Sequence, residues 1–229
     1  MANFLLIETS GLTCGVALCV NGELEKVFTT SDGTMLHAQY LPVHSDEILK
    51  YMRKNSIKLD AVAISAGPGS YTGLRIGTST AKGICYALEA KLIAINTLKL
   101  IAASATQKIE LNEDFQIAPM IDARRMEVYT ALYSPKLEEI IPASAVIVES
   151  DSFDNILSKP TYFCGNGAEK CKESIISENA RWIDNINPTV EDMNILAIEA
   201  YNNNKFEDVA YYEPFYLKEF QATTPKKNI

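Results

Sequence analysis

Ala66-Gly67-Pro68-Gly69-Ser70-Tyr71-Thr72-Gly73-Leu74-Arg75-Ile76-Gly77 is the stretch on which the reading of the fold turns. It follows Ala61-Val62-Ala63-Ile64, a short apolar run with the composition of a buried strand. It leads into helical periodicity from about Gly73 to Leu88. Five of the eleven glycines fall between Gly67 and Gly83. A strand, a glycine turn and a helix form the setting in which backbone N–H groups cradle a phosphate, which makes Gly67 and Gly69 candidate anion contacts. The spacing departs from the known fingerprints. A dinucleotide motif needs glycine where Thr72 stands, and a P-loop needs Lys-Ser/Thr after its last glycine. Gly73, Gly77, Ala81 and Cys85 recur every fourth residue and put one small-residue stripe along the helix. Small side chains let another element approach closely, either the sheet or a partner chain.

Working outward, Phe4-Leu5-Leu6-Ile7 reads as a buried strand ending at Glu8-Thr9-Ser10. Cys14–Val20 and Glu23–Thr30 flank Asn21-Gly22, the strongest short hairpin signal. A helix is predicted from about Gln39 to Asn55, with Leu41, Ile48, Leu49 and Met52 on one side. Leu92–Ile95 is the next strand, and Thr97 opens a third helix reaching about Gln107.

The second half repeats the order. Ile117–Ile121 ends in Asp122 as the first strand ended in Glu8. Glu127–Tyr133 and Ile140–Val148 read as strands, Ser152–Leu157 as a short helix and Thr161–Phe163 as a strand. Ala168–Ile176 reads as a helix, and Thr189–Asn203 as a clear one, with Thr189 and Asp192 forming a capping-box-like start. Each half runs strand–strand–strand–helix–strand–helix. This predicts an α/β protein of two lobes, residues 1–107 and 108–229, each a mixed sheet with antiparallel leading strands and packed helices. The polar stretch Gln107–Glu113 would be the junction.

The chain has 229 residues, 21 basic and 29 acidic, for a net charge of −8 at pH 7. That balance opposes a free-standing nucleic-acid or anionic-membrane binder. Residues 1–105 carry 9 basic and 8 acidic side chains, while 106–229 carry 12 and 21, so the acid excess lies in the second half. Five cysteines without a C-x-x-C pair fit free thiols in a reducing cytosol, and a cytoplasmic location is expected. His37 and His44 are seven residues apart, about 10.5 Å of helical rise, too far to share a zinc ion. Glu8 and Asp122, at equivalent strand ends, could hold Mg²⁺ beside a nucleotide phosphate across an interlobe cleft. No Ser/His/Asp set suggests itself.

Leu6–Ser10, Ala66–Gly77 with Ala81-Lys82-Gly83, Ile121–Arg124 with Glu127-Val128-Tyr129, Gly165-Asn166-Gly167 and Glu213–Leu217 together resemble the TsaB (YeaZ-like) family. The resemblance spans nearly the whole chain. It implies the actin-like ATPase (ASKHA) fold of two ribonuclease-H-like lobes. It also implies a non-catalytic scaffold in the machinery that places a threonylcarbamoyl group on the adenosine beside the tRNA anticodon. Partners implied are a TsaD-like catalytic subunit, a TsaE-like ATPase, tRNA within the complex only, and a second copy of the chain through the same surface. That surface is the first two helices, with Leu41, His44, Ile48, Gly73, Arg75, Gly77, Ala81 and Cys85 as candidate contacts. No cofactor of its own is implied, ATP and metal resting with the partners. Many relatives carry Asp where this chain has Glu8. The metal-binding His-x-x-x-His of the catalytic sister is missing here. The alternative is a nucleotide-dependent transferase or kinase acting alone. A protease, a role attached to relatives of this fold, finds no triad pattern.

Overall fold

The computed structural model describes residues 2–31, 36–109 and 114–218. Five strands, β1 (Phe4–Glu8), β2 (Cys14–Val20), β3 (Glu23–Thr30), β4 (Ala61–Gly67) and β5 (Lys91–Asn96), form a sheet in the order β3-β2-β1-β4-β5. A second sheet has β6 (Gln116–Asp122), β7 (Glu127–Tyr133), β8 (Glu139–Ile147), β9 (Thr161–Cys164) and β10 (Ala180–Ile183), ordered β10-β9-β6-β7-β8. In each, the first three strands are antiparallel and the next two add in parallel. The repeated strand pattern is therefore a repeated sheet, in the arrangement of the actin-like fold.

Strand alternation decides what packs where. Leu5 and Ile7 point to the face covered by α1 (His37–Lys54) and α2 (Tyr71–Leu88), meeting Leu41, Ile48, Ala81 and Cys85. Phe4 and Leu6 point to the opposite face, against α3 (Thr97–Thr106) and α4 (Val190–Asn202). Three helices start on side-chain caps: Ser70 Oγ accepts from the Gly73 amide, Asn96 Oδ1 from those of Leu98 and Lys99, and Thr189 Oγ1 from that of Asp192. Asp192 does not complete a capping box. Its Oδ2 accepts instead from the hydroxyls of Thr189 and Ser104, tying α4 to α3.

The second half is less helical than its sequence suggests. The expected helix at 168–176 is a single 3-10 turn, Glu169–Cys171, and the one at 152–157 is Asp154–Ile156. They carry Phe153, Ile156, Ala168 and Cys171 onto the outer face of the second sheet. β10 has no counterpart in the sequence prediction, because four residues with only Trp182 and Ile183 strongly apolar leave no period to read. Of the expected junction, residues 110–113 lie outside the described residues. Residues 1–107 and 108–229 each hold one sheet, yet α4 packs on the first sheet and α3 sends Leu98 and Ile101 into the core of the second.

A strap follows α4. The Glu207 amide donates to Leu92 O on β5, Lys82 of α2 donates to the carbonyls of Ala210 and Tyr212, and the Phe215 amide donates to Ala66 O. No helix among the described residues is long and apolar enough to cross a membrane.

Candidate functional site

The glycine turn ends β4 beside the end of β1, and its glycines are there for backbone contact. Gly67 has φ +108°, and a Cβ on it would sit 2.4 Å from Phe215 O of the strap. On Gly69 it would sit 2.5 Å from Ser10 O. The stripe along α2 continues this contact. A Cβ at Gly73 would lie 2.1 Å from Thr9 O, and at Gly77 2.3 Å from Thr9 Oγ1. The second lobe repeats the device: Gly165 (φ +94°) closes on Met120 O, and Gly167 on the Ile121–Asp122 peptide. A Gly-x-Gly after the fourth strand of each half was the signal in the sequence that could have found this pairing.

Leu41, Ile48, Gly73, Gly77, Ala81 and Cys85 are thus buried inside the first lobe. The stripe serves the sheet side of α2, so these six expected contact positions are covered from within the chain. His44 is half-buried, stacked between Phe28 and Tyr40, with Nε2 2.9 Å from Thr30 Oγ1. Its burial lowers its pKa. Arg75 is exposed. The outward row on α2 is Thr72, Arg75, Ser79, Gly83 and Tyr86, spaced as one helical face. Nothing lies within 4 Å of a Cβ built on Gly83, and Tyr86 is 87% exposed. On α1, Val43 is 58% exposed.

The two strand-end carboxylates have different fates. Glu8 is fully buried, with Oε1 accepting from the amide (2.6 Å) and hydroxyl (2.5 Å) of Ser10. Its Oε2 is buried without a protein hydrogen-bond partner. Burial pushes this carboxyl up to about 7, against the opposing pull of Ser10, Ser65 and Gly11. Asp122 is exposed, and its Oδ1 is taken by the Lys170 ammonium and the Arg124 amide. A sealed carboxyl and an ion-paired one do not make the shared Mg²⁺ cradle that their equivalent positions suggested. The interlobe cleft above them, lined by Ser10, Gly11, Thr97, Ile101, Ile121 and Asn166, measures about 70 Å³. A nucleotide-sized ligand needs roughly 300 Å³ or more.

Nucleophile candidates are equally committed. All five cysteines are buried, and desolvation holds Cys14 and Cys85 at about 11 and Cys164 at about 12. His37 is buried with Nε2 2.9 Å from Gly11 O. Among the described residues no group of three His, Cys, Asp or Glu side chains is placed to hold a metal ion.

Comparison with known proteins places this geometry among relatives. Residues 32–225 match the family model of TsaD, described as tRNA N6-adenosine threonylcarbamoyltransferase. The tRNA threonylcarbamoyladenosine biosynthesis protein TsaB of Bacillus subtilis is 32% identical over 75% of this chain and 74% of its own length. The proteins of that name from Haemophilus influenzae and Escherichia coli are 34% and 33% identical over 55% and 56% of this chain. In those two the match spans about half of the relative, 51% and 54%. YeaZ from Pseudomonas aeruginosa superposes with a TM-score of 0.75 at 24% identity, over 95% of this chain and all of that one, which shows a shared fold.

Proposed function

The chain belongs to the TsaB family, and on that premise we propose that it is a non-catalytic subunit in tRNA threonylcarbamoyladenosine biosynthesis, binding and stabilising a TsaD-like transferase. The observation that carries the reading is the outward row of α2, Thr72, Arg75, Ser79, Gly83 and Tyr86, with open space above Gly83 and a protruding Tyr86, together with the exposed Val43 on α1. Glycine in mid-helix costs about 0.5–1 kcal/mol relative to alanine. At Gly83 no neighbour within the chain requires that sacrifice, so a partner backbone approaching closely is its use. The engaged histidines, buried thiols and ion-paired Asp122 support a subunit whose chemistry is done by its partner. A TsaE-like ATPase joins the pair, a second copy of the chain competes for the same face, and the complex works in the cytoplasm.

The test is co-purification with the TsaD-like subunit of the same genome. Gly83→Glu with Tyr86→Asp places bulk and charge at the centre of the face without touching the lobe's core. We expect the double variant to fold and to lose at least tenfold in affinity, the loss of a central interface anchor. Undiminished binding would overturn the docking surface.

A further inference from the structure

We infer that the tip of the β6–β7 hairpin is an anion-binding site, with Arg124 and Arg125 as its two ligands and the phosphates of single-stranded RNA as the anion. The first observation is conformational. Arg124 and Arg125 have φ of +71° and +49°, in the left-handed region. A side chain crowds the backbone there, which is why Gly, Asn and Asp ordinarily fill such turns. Two consecutive arginines are thus held against local preference, and the turn itself gains nothing from them.

The second observation is how the tip is held. Lys170 reaches beneath it from the second 3-10 turn and donates to Asp122 Oδ1, Arg125 O (2.7 Å) and Glu127 O (2.7 Å). The Val148 amide donates to Met126 O at 2.7 Å. Lys218 of the strap donates to both carboxylate oxygens of Glu127, at 2.5 and 2.6 Å. The two acids at the foot of the hairpin are therefore neutralised by lysines. Both arginines are exposed, and neither forms an ion pair among the described residues. Guanidinium forks match phosphate oxygens in geometry and charge.

The third observation lies along the strap that carries Lys218. Two residues before Lys218, Tyr216 packs against Tyr71 of α2 with centroids 4.9 Å apart and planes tilted by 37°. Arg75 lies over the Tyr71 ring at 5.2 Å and donates to its hydroxyl. Cations set among aromatic rings are the side-chain types that grooves for unpaired strands use. The rest of the second half is acidic, so the contact is local, about one phosphate per guanidinium. Choosing RNA over another phosphate-bearing ligand rests on the proposed function. The arginine pair itself stands on geometry.

The experiment is fluorescence anisotropy of a short labelled single-stranded RNA titrated with the full chain at low ionic strength, repeated with inorganic phosphate and with dextran sulfate as competitors. Arg124→Gln with Arg125→Gln should weaken RNA binding about tenfold and flatten the salt dependence by about 0.7 per lost phosphate contact. Lys58→Gln with Lys205→Gln, the same charge change elsewhere on the surface, should leave both unchanged. Arg124→Asn with Arg125→Gly relieves the backbone and should raise the melting temperature while binding as poorly as the glutamine pair. Equal losses in both charge-matched variants, or none in the arginine variants, would overturn the site. Competition by dextran sulfate as effective as by unlabelled RNA, or by inorganic phosphate at equal concentration, would overturn RNA as its ligand. Association with the TsaD-like subunit, measured separately, should survive all these substitutions, so the docking face and the RNA contact fail independently.

Discussion

Glu8 sits where the first strand ends, and its surroundings make a pH prediction with a definite sign. The carboxyl titrates near 7 in the folded chain against 4.5 in the unfolded one. Between those values the folded state holds the proton more tightly, so stability falls as pH rises through the window and levels off above it. A shift of this size amounts to about 3 kcal/mol. Glu8→Gln keeps an acceptor for the Ser10 hydroxyl and never ionises. It should melt at a higher temperature than the natural chain above pH 7 and show a flatter profile from pH 5 to 8. A variant profile parallel to the natural one would mean that Glu8 does not govern this window. The position of Glu8 and Asp122 at equivalent strand ends was legible in the sequence. Their divergence was not, because the lysine that neutralises Asp122 lies 48 residues away.

At the scale of the element, α2 shows how one residue type carries opposite meanings on two faces. The four-residue recurrence was visible in the sequence, as was its use for close approach. Which neighbour approaches was left open between sheet and partner, since periodicity gives a face and not what covers it. The neighbour is the end of β1, whose Thr9 backbone and hydroxyl lie where side chains at Gly73 and Gly77 would go. Gly77→Ala should therefore destabilise the fold by about 1–3 kcal/mol, the usual range for overpacking. Gly83→Ala, in the same helix but in open space, should stabilise it by about 0.5–1 kcal/mol. Chemical denaturation of the two variants reads the contrast directly. A shift of the same sign in both would contradict the assigned faces. The expected helix at 168–176 teaches the complementary point: its residues have helical spacing, yet only Glu169–Cys171 forms a turn, while Ala168, Cys171 and Ile175 still reach the core of the second sheet.

For the whole molecule, the duplicated sheets were readable from the order of elements, while the interlocking of the halves was not. α3, encoded in the first half, supplies Leu98, Ile101 and Ala105 to the core around Phe115 and Ile117 of the second sheet. α4, encoded in the second, supplies Val190, Met193 and Leu196 to the core around Phe4 and Leu6 of the first. The strap then returns over the first lobe, with Val209 and Tyr212 against its core, and reaches Glu127 of the second through Lys218. None of these long-range pairings leaves a periodic trace in sequence. Neither sheet keeps its core covered if the other unfolds, so the two lobes should melt as one cooperative unit. The chain carries its own reporters. Its single tryptophan, Trp182, stacks on Phe163 in the second sheet, whereas α1, α2 and α4 pack on the first. Tryptophan fluorescence and far-ultraviolet dichroism should trace coincident transitions. Phe115→Ala, which empties a buried position in the second lobe, should lower both midpoints together by the equivalent of about 3–5 kcal/mol. A fluorescence transition that moved while the helical signal stayed behind would show that the lobes are separable, and that exchanged helices are not enough to bind them into one folding unit.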